Sequence, residues 1–216
     1  MVITRFPPVE RADDQGLLAV GGDLEPESLI LAYSNGIFPW PVDEDTLAWF
    51  APPTRGILLL ESFHISRRLM RDLAKAKFEF KIDHDFRGVI DRCSELTNRT
   101  RQNGTWITLE MIEAYCELFD RGYCHSFEAY QGGKLVGGLY GVQIDRFFAA
   151  ESSFYRVEGA SKAAMCGMVD YLRSEQITWF DCQVLTPFSE SFGAREVDRS
   201  LFMRLLDEAI GSFEHN

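Results

Sequence analysis

The run from residue 135 to residue 183 most constrains what this chain can fold into. It opens on Leu135-Val-Gly-Gly-Leu-Tyr-Gly-Val142 and continues with Phe147-Phe-Ala-Ala-Glu-Ser-Ser-Phe154. Two apolar runs beside a Gly-Gly pair and an Asp145-Arg146 turn read as a hairpin. Ala160 to Arg173 then has helical spacing, with Ala164, Met168 and Leu172 on one face. Thr178 to Val184 is a short, mostly apolar run of the length of a buried strand. The expected order is strand, strand, helix, strand.

Polar residues interrupt these strands. Glu151 follows Phe-Phe-Ala-Ala, and Asp181 and Gln183 flank Cys182. Side chains alternate along a strand, so Asp181 and Gln183 are expected on one face. An unpaired carboxylate is expensive to desolvate, so a buried one needs a partner or a task. Spacing alone allows both readings: ordinary buried hydrogen-bonding residues, or functional groups.

The rest of the chain follows the same grammar. Residues 1 to 16 read as an extended arm, and Gly16 to Leu24 as a short strand or turn. Asp23 to Asn35 reads as a helix with Pro26 in its first turn, where a missing N–H costs least. Gly36-Ile-Phe-Pro-Trp-Pro41 is a rigid loop around an indole that serves either core packing or stacking. A boundary is expected near Pro52-Pro53, dividing a small N-terminal domain (1–53) from a larger one (54–216). Strands are expected at Gly56–Leu60, Phe78–Ile82 and His125–Tyr130. Helices are expected over 66–76, 85–96, 109–120 and 200–210. Residues 97–104 form a polar loop before Trp106, and a second loop runs from Gln183 through Ala194.

Bulk properties exclude several classes. The 216 residues carry a net charge of −11, which argues against broad nonspecific binding of nucleic acid. The stretch Ala51–Thr105 is an exception, with 11 Lys/Arg against 7 Asp/Glu. Within it Arg67, Arg71 and Lys75 recur every fourth residue and form one basic stripe on a helix. That stripe suits a phosphate backbone read as charge; a solvated mixed-charge face is the alternative. Five cysteines, an odd number with no Cys-x-x-Cys, indicate neither a disulfide framework nor a zinc cluster. No apolar segment of signal-peptide or membrane-spanning type opens or crosses the chain, so the cytoplasm is the expected compartment.

Strand-helix alternation around a long hairpin predicts a mixed α/β sheet of acetyltransferase-like type. Arg156-Val-Glu-Gly-Ala-Ser161 begins like the pyrophosphate-binding turn of that fold and departs from it at Ser161. A coenzyme-A-dependent N-acetyltransferase is therefore one alternative. A noncatalytic RNA-binding module using aromatic and basic residues alone is another.

Nine blocks stand in the order seen in one family. They are Gly21-Gly-Asp-Leu24, Gly36-Ile-Phe-Pro-Trp40, Gly104-Thr-Trp-Ile-Thr108, His125-Ser126, Leu135–Val142, Glu151-Ser152, Ala160-Ser-Lys162, Asp181-Cys-Gln183 and Gly193-Ala194. Together they resemble leucyl/phenylalanyl-tRNA–protein transferases over nearly the whole chain. The resemblance implies an enzyme that moves Leu or Phe, and less well Met, from its tRNA to the α-amine of proteins beginning with Arg or Lys. Such transfer marks the acceptor for N-degron degradation. It implies a small N-terminal domain, an acetyltransferase-like (GNAT-like) C-terminal domain, and no metal or coenzyme A, hence no cofactor. The implied partners are the acceptor end of aminoacyl-tRNA and the basic N-terminus, with no DNA and no membrane, and the chain is expected to be a monomer.

The resemblance also assigns residues. Asp181 and Gln183 stand at the transfer step; either Asp181 polarises Gln183 to draw a proton from the amine or, the reading preferred because an amide is a poor base, Gln183 positions the amine and Asp181 orients Gln183. Glu151 helps bind the acceptor's basic N-terminus. Trp40 and Trp106 stack on the 3′ adenosine, with Tyr33 and Tyr115 nearby. The implied amino-acid pocket is apolar, and Leu139, Phe148, Ser153, Met165, Met168, Leu172 and Phe180 are the candidates for it, with plain core packing the alternative for several. Apart from the resemblance, the basic stripe Arg67, Arg71 and Lys75, with Arg99 and Arg101, is the candidate for the tRNA backbone.

Overall fold

The computed structural model describes residues 2–42, 46–95 and 107–211. Two sheets organise them. The first has three strands, β1 (Leu17–Val20), β2 (Phe38–Pro39) and β3 (Ala48–Phe50), in the order β1-β3-β2. Helix α1 (Pro26–Ser34) lies between β1 and β2, with Pro26 at its first turn and Gly36 at φ +71° just beyond its end.

The second sheet has seven strands in the order β10-β4-β9-β8-β7-β6-β5. They are β4 (Thr54–Leu59), β5 (Glu79–Ile82), β6 (Cys124–Gln131), β7 (Lys134–Ile144), β8 (Phe147–Tyr155), β9 (Trp179–Gln183) and β10 (Arg195–Asp198). All neighbours pair antiparallel except β8 and β9, which are parallel and share the single register pair Ala149–Asp181. The expected hairpin is β7–β8, turning on Asp145 at φ +51°. The crossover between the parallel strands is α5 (Ala160–Ser174).

The remaining helices are α2 (Arg67–Ala76), α3 (Phe86–Ser94), α4 (Leu109–Asp120), the single turn α6 (Pro187–Glu190) and α7 (Arg199–Ile210). Side-chain caps mark where several begin. Ser66 accepts from the Leu69 amide at 3.1 Å, Asp85 from Gly88 at 3.0 Å and Thr108 from Met111 at 3.2 Å. Gly137 on β7 lets α5 settle onto the sheet, because a Cβ there would lie 2.4 Å from Ala160 Cβ.

The large sheet is covered on both faces. Ala164, Met165, Met168 and Leu172 of α5 pack with Leu58, Phe127, Leu139, Phe148 and Phe180. On the other face Ile90, Met111, Tyr115 and Phe202 pack with Ile57, Tyr140, Phe147 and Trp179. Leu29, Tyr33 and Trp49 belong to this second core, so one apolar interior runs from the small sheet into the large one. Helix α2 buries none of its residues. Strand β10 was not expected. Its Arg-Glu-Val-Asp sequence buries only Val197, so an edge strand on β4 leaves no apolar alternation to read. Among the described residues no helix is long and apolar enough to cross a membrane.

Candidate active site

Two adjacent strand irregularities build the site. In the β7–β8 pairing Gly141 faces Ala150 and Tyr140 faces Ser152, so Glu151 is an extra residue on β8. In the β4–β9 pairing Gly56 faces Gln183 and Ile57 faces Asp181, so Cys182 is extra on β9. Bulges of this kind re-aim side chains and are frequent beside active sites. Glycines make both possible: a Cβ on Gly141 would sit 2.4 Å from the Ala149 carbonyl oxygen, and one on Gly56 2.8 Å from the Leu185 nitrogen.

The bulge on β9 changes the expected geometry. Gln183 lies at φ +59°, left-handed backbone that a non-glycine residue rarely adopts. Simple alternation would put Asp181 and Gln183 on one face. Instead Gln183 lines the cavity beside Cys182 and Phe180, while Asp181 faces away from it. Asp181 is fully buried against Arg55, itself 2% exposed. Arg55 Nε donates to Asp181 Oδ1 at 2.9 Å and Nη2 to Oδ2 at 2.6 Å. Sequence reasoning missed Arg55. The signal was indirect: a buried Asp181 demands a cation, but spacing does not say which one, 126 residues away, answers it.

Gln183 Nε2 donates to Glu151 Oε1 at 2.7 Å. The other carboxylate oxygen, Oε2, is buried without a hydrogen-bond partner among the described residues. Burial pushes the Glu151 carboxyl up to about 7; the nearby Tyr33 hydroxyl and the Gln183 amide oppose the rise, and the Asp181 charge adds to it. A carboxyl in this range takes and releases a proton near neutral pH. Cys182 is beside it, yet burial above all raises its thiol pKa strongly, so it is a poor nucleophile.

A cavity of about 400 Å³ opens where β8 and β9 part. Leu139, Met165, Phe180 and Phe188 make its apolar wall, Glu151 and Gln183 its polar end, and Trp40 is part of its lining. The volume is in the usual range of small-molecule sites, roughly 300–1,000 Å³. A larger cleft of about 650 Å³ lies elsewhere, lined by Asp23, Glu25, Glu110, Glu113 and Glu117 among others. Its acidic walls suit neither an apolar side chain nor a phosphate.

Of the expected pocket residues, Leu139, Ser153, Met165 and Phe180 line the cavity. Phe148, Met168 and Leu172 do not. All three are fully buried in the α5 core, because Met168 and Leu172 lie one and two turns further along α5 and Phe148 packs edge-on to Phe127. Tyr33 and Tyr115 lie near Glu151 but are closed off from the cavity. Each is at most 1% exposed, and their hydroxyls meet each other at 2.5 Å, so neither ring has a face open to a base. Trp40 is half-buried at the cavity. Trp106, Arg99 and Arg101 lie outside the described residues. Arg67, Arg71 and Lys75 are exposed along α2.

Comparison with known proteins decides the family. The leucyl/phenylalanyl-tRNA protein transferase profile matches residues 57–207, and that of the family's N-terminal domain matches residues 22–53. The chain belongs to this family. A leucyl/phenylalanyl-tRNA–protein transferase of Flavobacterium johnsoniae is 45% identical over 93% of this chain and 94% of its own. One from Saccharophagus degradans is 45% identical over 97% and 86%, and one from Anaeromyxobacter dehalogenans 46% over 95% and 88%. Among solved structures, L-PGS from Bacillus licheniformis aligns with 87% of this chain and 71% of its own, at 13% identity and a TM-score of 0.46.

Proposed function

We propose that this member of the leucyl/phenylalanyl-tRNA–protein transferases moves Leu or Phe, and less well Met, from aminoacyl-tRNA to the α-amine of proteins beginning with Arg or Lys. The acceptor is thereby marked for N-degron degradation in the cytoplasm. The observation that carries the reading is one cavity with an apolar wall and a Glu151–Gln183 pair at its end. The wall takes the amino-acid side chain, and the pair receives the amine.

The chemistry needs no covalent intermediate, since the ester on the 3′ adenosine is already activated. Holding both substrates in attack geometry supplies much of the rate. Gln183 gives its N–H to the Glu151 carboxylate, which leaves its amide oxygen to accept an N–H of the incoming amine. The α-ammonium donates to Glu151 Oε2 and loses its proton there. The free amine attacks the ester carbonyl, the C–O bond to the ribose breaks, and the proton that the attacking nitrogen gives up goes to the departing 3′ oxygen.

Trp40, joined by Trp106, serves as the stacking platform for the terminal adenine, worth about 1–3 kcal/mol per stacked base. Arg67, Arg71 and Lys75, an exposed basic stripe on α2, meet the tRNA backbone, and the enzyme acts as a monomer. Replacing all three by Ala should raise the KM for tRNA and flatten its salt dependence. Residues 54–216 are read as an acetyltransferase-like catalytic domain following a small N-terminal domain (1–53). Support comes from the β7–β8 hairpin, the α5 crossover and the parallel β8–β9 pair.

The test is transfer of radiolabelled Leu from Leu-tRNA to a peptide beginning with Arg and to one beginning with Ala. Label on the Arg peptide alone is expected. Absence of transfer to either, with charged tRNA intact and the enzyme folded, overturns the reading.

A further inference from the structure

We propose that Arg55 and Asp181 form a clamp on the backbone of Gln183, so that both act as positioning residues and neither touches the reacting atoms. The expectation that Asp181 orients Gln183 left open how it does so. Asp181 Oδ1 accepts the Gln183 backbone N–H at 2.7 Å, while the Gln183 side-chain amide turns to Glu151. Asp181 thus acts on the residue through its main chain, without polarising its amide.

The clamp is needed because Gln183 is at φ +59°. Non-glycine residues persist there only where their surroundings over-determine them. Arg55 supplies that determination by locking Asp181 in a two-pronged contact. Its third contact, Nη1 to the Gly36 carbonyl oxygen at 3.1 Å, reaches the loop that carries Trp40. The rings of Phe38 and Phe202 cover the guanidinium at 4.5 and 4.6 Å. One buried cation therefore sets the register of two parts of the site, the strand end that presents Gln183 and the loop that presents Trp40. Lysine cannot replace it, since an ammonium lacks the planar fork.

The proposal rests on the transferase reading only for its kinetic readout. The first measurement needs no activity: amide hydrogen exchange at Gln183 by NMR in the wild-type chain. Strong protection is expected, and exchange at the rate of unstructured peptide overturns the clamp. In Arg55→Lys, exchange at Gln183 should quicken by at least about tenfold while Phe180 on the same strand keeps its protection. Equal change at both overturns it, since that marks general loosening.

The second measurement is transfer kinetics. Arg55→Lys should lower kcat by about 30-fold or more, with the KM for an Arg-starting peptide within about threefold, as expected for misplacement of a positioned group. In Arg55→Ala, added guanidinium should restore at least about a tenth of the lost kcat, while ammonium at equal concentration does not. An unchanged kcat in either folded variant overturns the proposal. If Arg55→Ala does not fold, Arg55→Lys and the wild-type exchange rate still decide. Absence of transfer by the wild type removes the transferase reading and leaves the exchange result standing.

Discussion

Two glutamates sit in strands of the same sheet and meet different fates. Glu128 on β6 is fully buried, and every part of its carboxylate is used. Oε1 accepts from the His84 and Asp85 amides at 2.9 and 2.8 Å and from the Ser126 hydroxyl at 2.8 Å, and Oε2 accepts from Tyr130 at 3.0 Å. Glu151 on β8 is half-buried, bonds Gln183 through one oxygen and holds the other without a partner among the described residues. Glu128 ties the turn before α3 to the sheet. Glu151 is left with capacity to act on something else. Burial of a carboxylate is thus a weak sign of function; unfilled hydrogen-bonding capacity beside a cavity is a strong one.

The sharpest test is to remove each. Glu128→Ala strands two backbone N–H groups, a serine and a tyrosine in the interior. At about 1–3 kcal/mol per unsatisfied group, after relaxation, a loss of about 3–5 kcal/mol of folding stability is expected by urea denaturation. The folded fraction should keep its activity within about threefold. A loss under about 1 kcal/mol would erase the distinction from the structural side.

Glu151 should show the opposite signature in pH. Its carboxyl is raised from 4.5 to about 7 in the folded chain. Between those values the folded protein holds a proton that the unfolded chain has released. Stability therefore falls as pH rises through this window, by roughly 3 kcal/mol in all, and levels off above it. Glu151→Gln removes the slope, so the variant should match the wild type near pH 4.5 and exceed it at pH 8. Parallel stability curves from pH 5 to 8 would show that Glu151 is not held away from water as described.

The same substitution should cost activity. Loss of a positioned proton acceptor lowers rates by about 10²-fold or more, so kcat/KM for Arg-starting peptides should fall by about that much. The wild-type profile should show an acid limb near pH 7 that Glu151→Gln lacks. Together these outcomes separate a group that holds the fold from one that works at its expense.

Much of the framework was legible before the structure. The β7–β8 hairpin, α5 and β9 follow from period and turn chemistry, which depend on neighbours in sequence. Glu151, Asp181 and Gln183 were found as polar residues in apolar strands. Their arrangement was not, because two bulges depend on which residues face each other across strands. Arg55 escaped for the same reason, since its partner Asp181 is distant in sequence. Several aromatic and pocket candidates fall behind the cavity lining. Tyr33, Tyr115, Phe148, Met168 and Leu172 are buried one layer deeper, and apolar or aromatic character does not tell a wall from the core behind it.

The contrast extends to hydroxyls, where the effects are smaller. Ser126 is fully buried and donates to Glu128 at 2.8 Å. Ser153 faces Leu139 across β7–β8 and lines the cavity. Ser126→Ala should lower stability by about 1–2 kcal/mol and leave donor choice alone. Ser153→Met should do the reverse. It narrows the apolar wall opposite Leu139 and should disfavour Phe against Leu by about tenfold, within the 1–3 kcal/mol that a methylene-sized change in an apolar pocket commands. Competition between Leu-tRNA and Phe-tRNA in one reaction reads this ratio directly. If Ser153→Met lowers stability as Ser126→Ala does and leaves the ratio unchanged, the Ser153 side chain is part of the packing and the amino-acid side chain binds elsewhere. If the ratio moves with stability intact, the unfilled positions along β8 mark the donor pocket from Glu151 outward.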